Sequence, residues 1–238
     1  MKFTFKLFKM KITECIWDTE FFGFKIGEYK TSELTLQLLN TIIINAQCEN
    51  YKLIYIKSHN NNPQLDNILF CDERRIYHKK RKRNNYIPYY PISKYNKTTI
   101  SESLFELALE SGKYSRFHLD PNFPDECFEK LYKKWIENSL NKTIASDILT
   151  YNEQETPIGL LTYNNKNNKS TIGLISVSKK KQKKGIGKRL IHYYENSLNN
   201  SIEILEVVTQ GVNKSACSFY EKNGYILSST SYIYHLWI

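Results

Sequence analysis

Long apolar runs are missing from this 238-residue sequence. No window approaches the ~18 uninterrupted apolar residues of a membrane-crossing helix, which argues against an integral membrane protein. Cysteine is sparse and without pattern: five residues, at 15, 48, 71, 127 and 217, and no Cys-x-x-Cys. An odd count at wide spacing argues against a disulfide framework or zinc ribbon and fits a reducing cytoplasm, with no metal expected. Acidic residues are also short, 24 against 34 Lys and Arg, for a net charge of +10. Such a surplus suggests an anionic partner. Lysine is frequent in every part of the chain, which favours general enrichment over nucleic-acid binding.

The remainder is a globular balance, with 41% hydrophobic, 14% aromatic and 24% charged residues. Disordered, collagen-like and polar-repeat classes are excluded by it. At ~150 residues per domain the length makes one large domain or two small ones. A chain this long buries roughly 70% of its unfolded surface and needs no covalent staples. The first ten residues alternate basic and apolar types. They lack the apolar core and cleavage site of a signal peptide, and read as a strand or short extension ahead of Met10.

Local patterns predict a mixed α/β chain. Residues 17–27 read as a loop leading into a strand, punctuated by Gly23 and Gly27. Leu34, Leu38, Ile42 and Ala46 recur every four residues, so 32–48 is an amphipathic helix. A strand over 51–56 and a short helix over 65–70 follow. Residues 74–83 are strand-like and basic, and the run 78–83 reads as a solvated sheet edge that resists pairing; RNA or an anionic membrane face is the rival. Asn84, Asn85, Pro88 and Pro91 mark a connector, placing a boundary near 95 between an N-terminal α/β subdomain (1–95) and a C-terminal domain (96–238). The second half predicts helices at 103–111 and from Pro124 to 140, then strands at 143–151, 157–163 and 171–177. A helix at 185–199, a strand at 202–208 buried on both faces, a helix at 213–222 and a strand at 225–238 bent near 228–231 complete it.

One segment carries chemistry. A strand ending at Val177 feeds a lysine-rich loop, and Gly185 and Gly187 open the following helix. Glycines let backbone amides turn toward a ligand, the helix N-terminus adds partial positive charge, and Lys183, Lys184, Lys188 and Arg189 raise the potential. A diphosphate is the natural ligand. Neither the P-loop nor the complete Gly-x-Gly-x-x-Gly pattern is present.

Gln182-x-x-Gly185-x-Gly187 after a strand resembles the acyl-CoA pyrophosphate loop of the GNAT superfamily of N-acyltransferases. Asn213-x-x-Ala216 and Phe219-Tyr220-x-x-x-Gly224-Tyr225 resemble the elements that follow it in that family. The resemblance covers about residues 113–238. It implies a mixed, mostly antiparallel central sheet with helices on both faces, and the N-terminal half as a degenerate second unit of the same kind. Acetyl-CoA would be held by Ile175, Val177, Gln182, Lys183, Lys184, Gly185, Ile186, Gly187, Lys188, Asn213, Ala216 and Tyr220. A main-chain N–H of Val177, at a splay or bulge, would stabilise the oxyanion, and Tyr220 would protonate the leaving thiolate.

The stretches 17–24 and 114–123 are similar to the acetyltransferases of dTDP-4-amino-4,6-dideoxy sugars. That similarity implies a nucleotide-sugar amine as acceptor, contacted by Arg116, Phe117, His118 and Asp120, in surface polysaccharide synthesis. His118, Asp120 and Glu206 are candidate bases. Each has a plainer reading: Tyr220 as an aromatic packing residue, Asn213 as a helix cap, Arg116 as a surface ion pair. Peptide, protein or aminoglycoside acceptors stay open, as do a homodimer and a non-catalytic module that binds nucleic acid.

Overall fold

The computed structural model describes residues 10–65, 68–82 and 91–238. In chain order the elements are β1 (Thr13–Glu14), α1 (Ile16–Phe22), β2 (Ile26–Thr31), α2 (Leu36–Cys48), β3 (Leu53–Ser58), β4 (Phe70–Lys80), β5 (Ile92–Lys94), α3 (Glu102–Gly112), α4 (Arg116–Leu119) and α5 (Cys127–Leu140). They continue with β6 (Asp147–Glu153), β7 (Thr156–Lys166), β8 (Lys169–Val177), α6 (Ile186–Ser197), β9 (Ile204–Gln210), α7 (Lys214–Lys222) and β10 (Ile226–Trp237). The chain forms two compact units. One takes the residues up to Arg74 together with Thr230–Ile238; the other is Arg75–Ser229.

In the first unit, β2 runs parallel to β3 and β1 antiparallel to β2, while β3 pairs antiparallel with β10 from Tyr232↔Ser58 to Trp237↔Leu53. Leu39, Ile42 and Ala46 of α2 pack with Ile54, Ile56 and Tyr234. The helix starts later than its apolar spacing predicts: Thr35 caps it by accepting from the Leu38 amide at 3.2 Å, and Leu34 is buried ahead of it. The loop expected after Trp17 is instead the helix α1, which buries no residue and so leaves no core-facing period to read. Trp17 and Phe21, one turn apart, stack at 5.0 Å, and Gly23 ends the helix with φ 76°. No helix forms over 65–70 among the described residues; a short 3₁₀ turn over Pro63–Leu65 precedes β4. Residues 1–9 and most of the 84–91 connector lie outside the described residues.

The second unit carries a mixed, mostly antiparallel sheet. β5, β6, β7 and β8 pair antiparallel in that order, and β9 joins β8 in parallel. Helices cover both faces. From one side, Ile186, Leu190, Ile191, Tyr194, Cys217 and Tyr220 of α6 and α7 pack on Tyr163, Ile172, Leu205 and Val207. From the other, Leu104, Leu107, Ala108 and Ile136 of α3 and α5 pack on Ile148 and Leu160. Gln154 and Glu155 both take positive φ (48° and 66°), the turn that matches the twist of the β6–β7 hairpin.

Four sequence expectations need correction here. First, β6 begins at Asp147 rather than 143, because Lys142 takes φ 57° in a turn after α5. Second, α5 starts at Cys127, three residues beyond Pro124. Third, β9 is buried on one face only, with Leu205, Val207 and Thr209 inside and the residues between them accessible. Fourth, β10 runs through 228–231 without a break.

The basic run is not a solvated edge either: β4 lies beside β9 in strand order, and its cations are engaged within the second unit. Lys79 donates to both Glu195 carboxylate oxygens, at 2.8 and 2.6 Å, and to the Asn223 carbonyl at 2.9 Å. Arg81 donates to the Glu195, Leu198 and Asn199 carbonyls at 2.7, 2.6 and 2.5 Å, which ties off the C-terminal end of α6.

Close packing of α3 on α5 depends on Gly112. A Cβ there would lie 2.2 Å from the Tyr132 ring. Gly112→Ala is therefore expected to destabilise the protein by about 1–3 kcal/mol through overpacking, read as a lower urea midpoint at unchanged m-value.

Candidate active site

The two strands that frame the site part company. β8 and β9 pair over four rows, from Lys169↔Ile204 to Ile172↔Val207, and then the ladder stops. β8 continues to Val177 and β9 to Gln210, so an opening lies between them. On its other side β8 stays with β7, through a register slip. Leu161 faces Ile175 and Tyr163 faces Ile172, so Thr162 alone opposes both Gly173 and Leu174. The Thr162 hydroxyl accepts from the Leu174 amide at 2.8 Å, and a Cβ on Gly173 would lie 2.8 Å from that oxygen. This is a β-bulge fitted to glycine.

Beyond the bulge, alternation decides which main-chain groups face the opening. The Ser178 amide donates to Ile158 across the β7 side at 2.9 Å. Hydrogen-bonded and non-bonded pairs alternate in an antiparallel ladder. Val177, opposite Gly159, and Ile175, opposite Leu161, are therefore non-bonded pairs whose N–H and C=O point away from β7. The Gln182 side chain reaches the Val177 carbonyl at 3.0 Å and the Glu110 carboxylate of α3 at 3.0 Å, which fixes the start of the loop.

That loop delivers α6 with a bare N-terminus. Lys183 takes φ 60° and Gly185 φ 80°, and no side chain caps the helix. The first four N–H groups of a helix have no acceptor within it. Gly185 meets nothing within 4 Å of where a Cβ would stand, so conformation rather than crowding demands glycine there. Gly187 is different: a Cβ would sit 3.3 Å from the Phe219 ring, so its absence lets α6 lie close on α7. The lysines divide. Lys179 and Lys181 pair with Glu110 and Glu153, whereas Lys183, Lys184 and Lys188 are exposed and carry no ion pair among the described residues. Arg189 is engaged inward, donating to the Tyr151 hydroxyl at 2.9 Å.

On α7, Asn213 is the N-cap and accepts from the Ala216 amide at 3.0 Å, so its plainer role is real. Tyr220 is buried between the rings of Phe219, Tyr225 and Tyr77, with centroids 5.5, 5.9 and 6.0 Å away. Burial, with a smaller contribution from Cys217, holds its phenol above the ordinary range, so it keeps its proton at any working pH.

The α4 residues sit apart in kind. Phe117 is buried against Phe123 and Trp135. Asp120 is buried and accepts from the Asn122 amide and side chain at 3.1 and 2.9 Å, closing a turn. Arg116 is half-buried over the Phe117 ring, and exposed His118 lies against Phe128.

Glu206 is fully engaged. It accepts from Lys169 Nζ at 2.9 and 3.0 Å, from Thr171 Oγ1 at 3.1 Å, and meets His78 Nε2 at 2.8 Å. Burial alone would raise its carboxyl, but these partners hold it below the usual carboxylate range. A splay or bulge was expected at Val177; the bulge lies earlier in β8, at Gly173 and Leu174 opposite Thr162, while the Glu110 anchor and the pairing of His78 with Glu206 were not anticipated. The one available signal was a glycine inside a predicted strand.

An opened strand pair beside a bare, glycine-led helix start suits a thioester donor with a diphosphate. Residues 119–235 match the acetyltransferase (GNAT) domain family. The chain carries a GNAT acetyltransferase domain. Members of this family take acetyl-CoA as acyl donor. Among curated proteins, the spore coat polysaccharide biosynthesis protein SpsD of Bacillus subtilis is 26% identical over 138 residues, 58% of this chain and 47% of that one. The match thus spans about half the length of that relative. Among solved structures, a functionally unknown conserved protein from Staphylococcus epidermidis superposes with a TM-score of 0.63 at 14% identity, over 89% of this chain and 84% of that one. A GCN5-related N-acetyltransferase from Sphaerobacter thermophilus gives 0.52 at 10% identity, over 89% and 73%. At these identities the likeness shows the fold alone. No helix among the described residues is long and apolar enough to cross a membrane.

The state of Glu206 can be tested. A carboxyl held low in the folded protein contributes stability above its ordinary value of 4.5, and that contribution is lost as pH falls through the folded value. Wild type should therefore lose stability below about pH 4.5 more steeply than Glu206→Gln, measured by urea unfolding between pH 3 and 7.

Proposed function

We propose that this protein is an acyl-CoA-dependent N-acetyltransferase that moves acetyl from acetyl-CoA to the amine of a nucleotide-linked amino sugar. The acceptor is of the dTDP-4-amino-4,6-dideoxyhexose type, used in surface polysaccharide synthesis. The observation that carries the reading is the opening between β8 and β9, with Ile175 and Val177 turned toward it and the start of α6 beside it. The name of the SpsD relative supports a sugar acceptor. Residues 96–238 are proposed as the catalytic domain, with 1–95 supporting it.

Bound acetyl-CoA supplies an activated acetyl group; the protein supplies position and charge. Amides of Gly185, Ile186, Gly187 and Lys188 face the diphosphate, with Lys183 and Lys184 adding positive potential and Gln182 holding the loop in register. Asn213 and Ala216 border the same site from α7. The Val177 N–H donates to the oxyanion that develops on amine attack. Tyr220 returns a proton to the departing sulfur; its raised phenol makes it a reluctant acid but one always loaded. Arg116 and His118 are the α4 side chains accessible to the acceptor, while Phe117 and Asp120 act by shaping that turn.

The test is thiol release from acetyl-CoA against dTDP-amino sugars, aminoglycosides and peptides. Turnover is expected on the first class, and turnover only on peptides or aminoglycosides would overturn the acceptor assignment. Gly185→Ala should weaken acetyl-CoA binding about tenfold or more, read by the thermal shift it produces, because alanine strains φ 80°. Tyr220→Phe should lower kcat about 100-fold with little change in acetyl-CoA affinity. An unchanged kcat would leave Tyr220 as packing alone.

A further inference from the structure

The proposed reaction needs a base; of the α4 candidates, Asp120 is engaged in closing a turn and exposed His118 lies against Phe128. Amines at neutral pH are largely protonated, and attack on a thioester needs the free amine. The proton must go to a group beside the opening, on the face that the donor leaves clear.

That face is defined by alternation along β9. Leu205 and Val207 pack beneath α6 and α7, so Glu206 points to the opposite side of the sheet. Thr171↔Glu206 is the row before the last paired one, so Glu206 stands at the closed end of the opening. His78 of β4 meets it at 2.8 Å and is about two-fifths exposed. Glu206 in turn is fixed by Lys169 and Thr171 of β8. A carboxylate already accepting from those two groups takes the Nε2–H of a neutral imidazole, which leaves the lone pair on Nδ1. An accessible imidazole, oriented by a half-buried carboxylate through its other nitrogen, is the arrangement of a general base.

Resting on the acetyl-transfer reading above, we propose that His78 is the catalytic base toward the acceptor amine and Glu206 its positioning residue. The neutral amine attacks the thioester carbon and the C–N bond forms. The nitrogen gives one proton to His78 Nδ1, directly or through one water. The C–S bond breaks, and the sulfur takes its proton from Tyr220. His78 then returns its proton to solvent, from which Tyr220 is reloaded, so amide and free thiol are the only products. The charged groups facing His78 are Glu206 of β9, Lys169 of β8 and, two residues along its own strand, Lys80.

The test joins activity to a structural readout. His78→Gln should lower kcat on a dTDP-4-amino-4,6-dideoxy sugar about 100-fold at pH 7 and alter the pH profile of kcat, with the acetyl-CoA thermal shift unchanged. Added imidazole should restore part of the rate to His78→Ala. Nitrogen NMR of the His78 ring should show the Nε2–H tautomer in wild type, and a mixture of tautomers in Glu206→Gln. An active His78→Gln enzyme with the wild-type pH profile, or a wild-type ring protonated on Nδ1, would overturn the inference while leaving acetyl transfer standing. Wild type without turnover on any amine would overturn both.

Discussion

The site depends on a ladder that stops. Parallel strands normally pair along their shared length, and an unpaired buried amide is costly. β8 and β9 give up their pairing after Ile172↔Val207, while both strands continue. The gap persists because each strand is held from its other side. β8 keeps its register with β7 as far as Val177 and is tied to it by the Ser178–Ile158 hydrogen bond, and β9 has β4 alongside. The bulge at Thr162 absorbs the mismatch this imposes on β8: one threonine faces two residues, and its hydroxyl takes the Leu174 amide that the slipped ladder would leave unpaired. Closing the gap would therefore require undoing the β7–β8 register as well.

Sequence reading recovered what is local and periodic. The helix α6 announced itself through Ile186, Leu190, Ile191 and Tyr194, and α7 ended where Asn223 and Gly224 promised. The loop from Gln182 to Gly187 was legible because positive φ and a bare helix start require particular residues at particular spacings. Pairing partners were not legible. Nothing in the run 78–83 tells that Arg81 will meet the last carbonyls of α6, more than a hundred residues away, so charge alone suggested a solvated edge. For the same reason Glu206 read as a candidate base in its own right, with no sign of the three long-range partners that fix it. The helix α1 was missed for a separate reason: it buries nothing, so it has no amphipathic period to read.

Part of the positive charge is structural. Lys79, Arg81, Lys169, Lys179 and Lys181 are each drawn to carboxylates or helix-end carbonyls inside the second unit. Those interactions position elements and do not raise the surface potential in proportion to the residue count. What is left near the opening is Lys183, Lys184 and Lys188, exposed around a helix start that already favours anions. Charge concentrated on one short loop is the footprint of a compact polyanion such as a diphosphate. A nucleic acid would instead need a stripe of positive charge along an extended face.

The two faces of the second unit's sheet then carry separate tasks. Beneath α6 and α7 the side chains are apolar and aromatic, and Tyr220 lies among them with its phenol held above the ordinary range. On the opposite face, at the end of the shared ladder, His78, Glu206, Lys169 and Thr171 form a hydrogen-bonded polar group. A protein that needs one group to stay protonated and another to accept a proton gains from placing them in unlike surroundings: burial favours the neutral phenol, and a neighbouring carboxylate orients the imidazole. The strand alternation that puts Leu205 and Val207 on one side and Glu206 on the other enforces that separation. A one-residue shift of β9 against β8 would exchange the two environments, so the register of four paired rows fixes both the opening and the chemistry that each face can support.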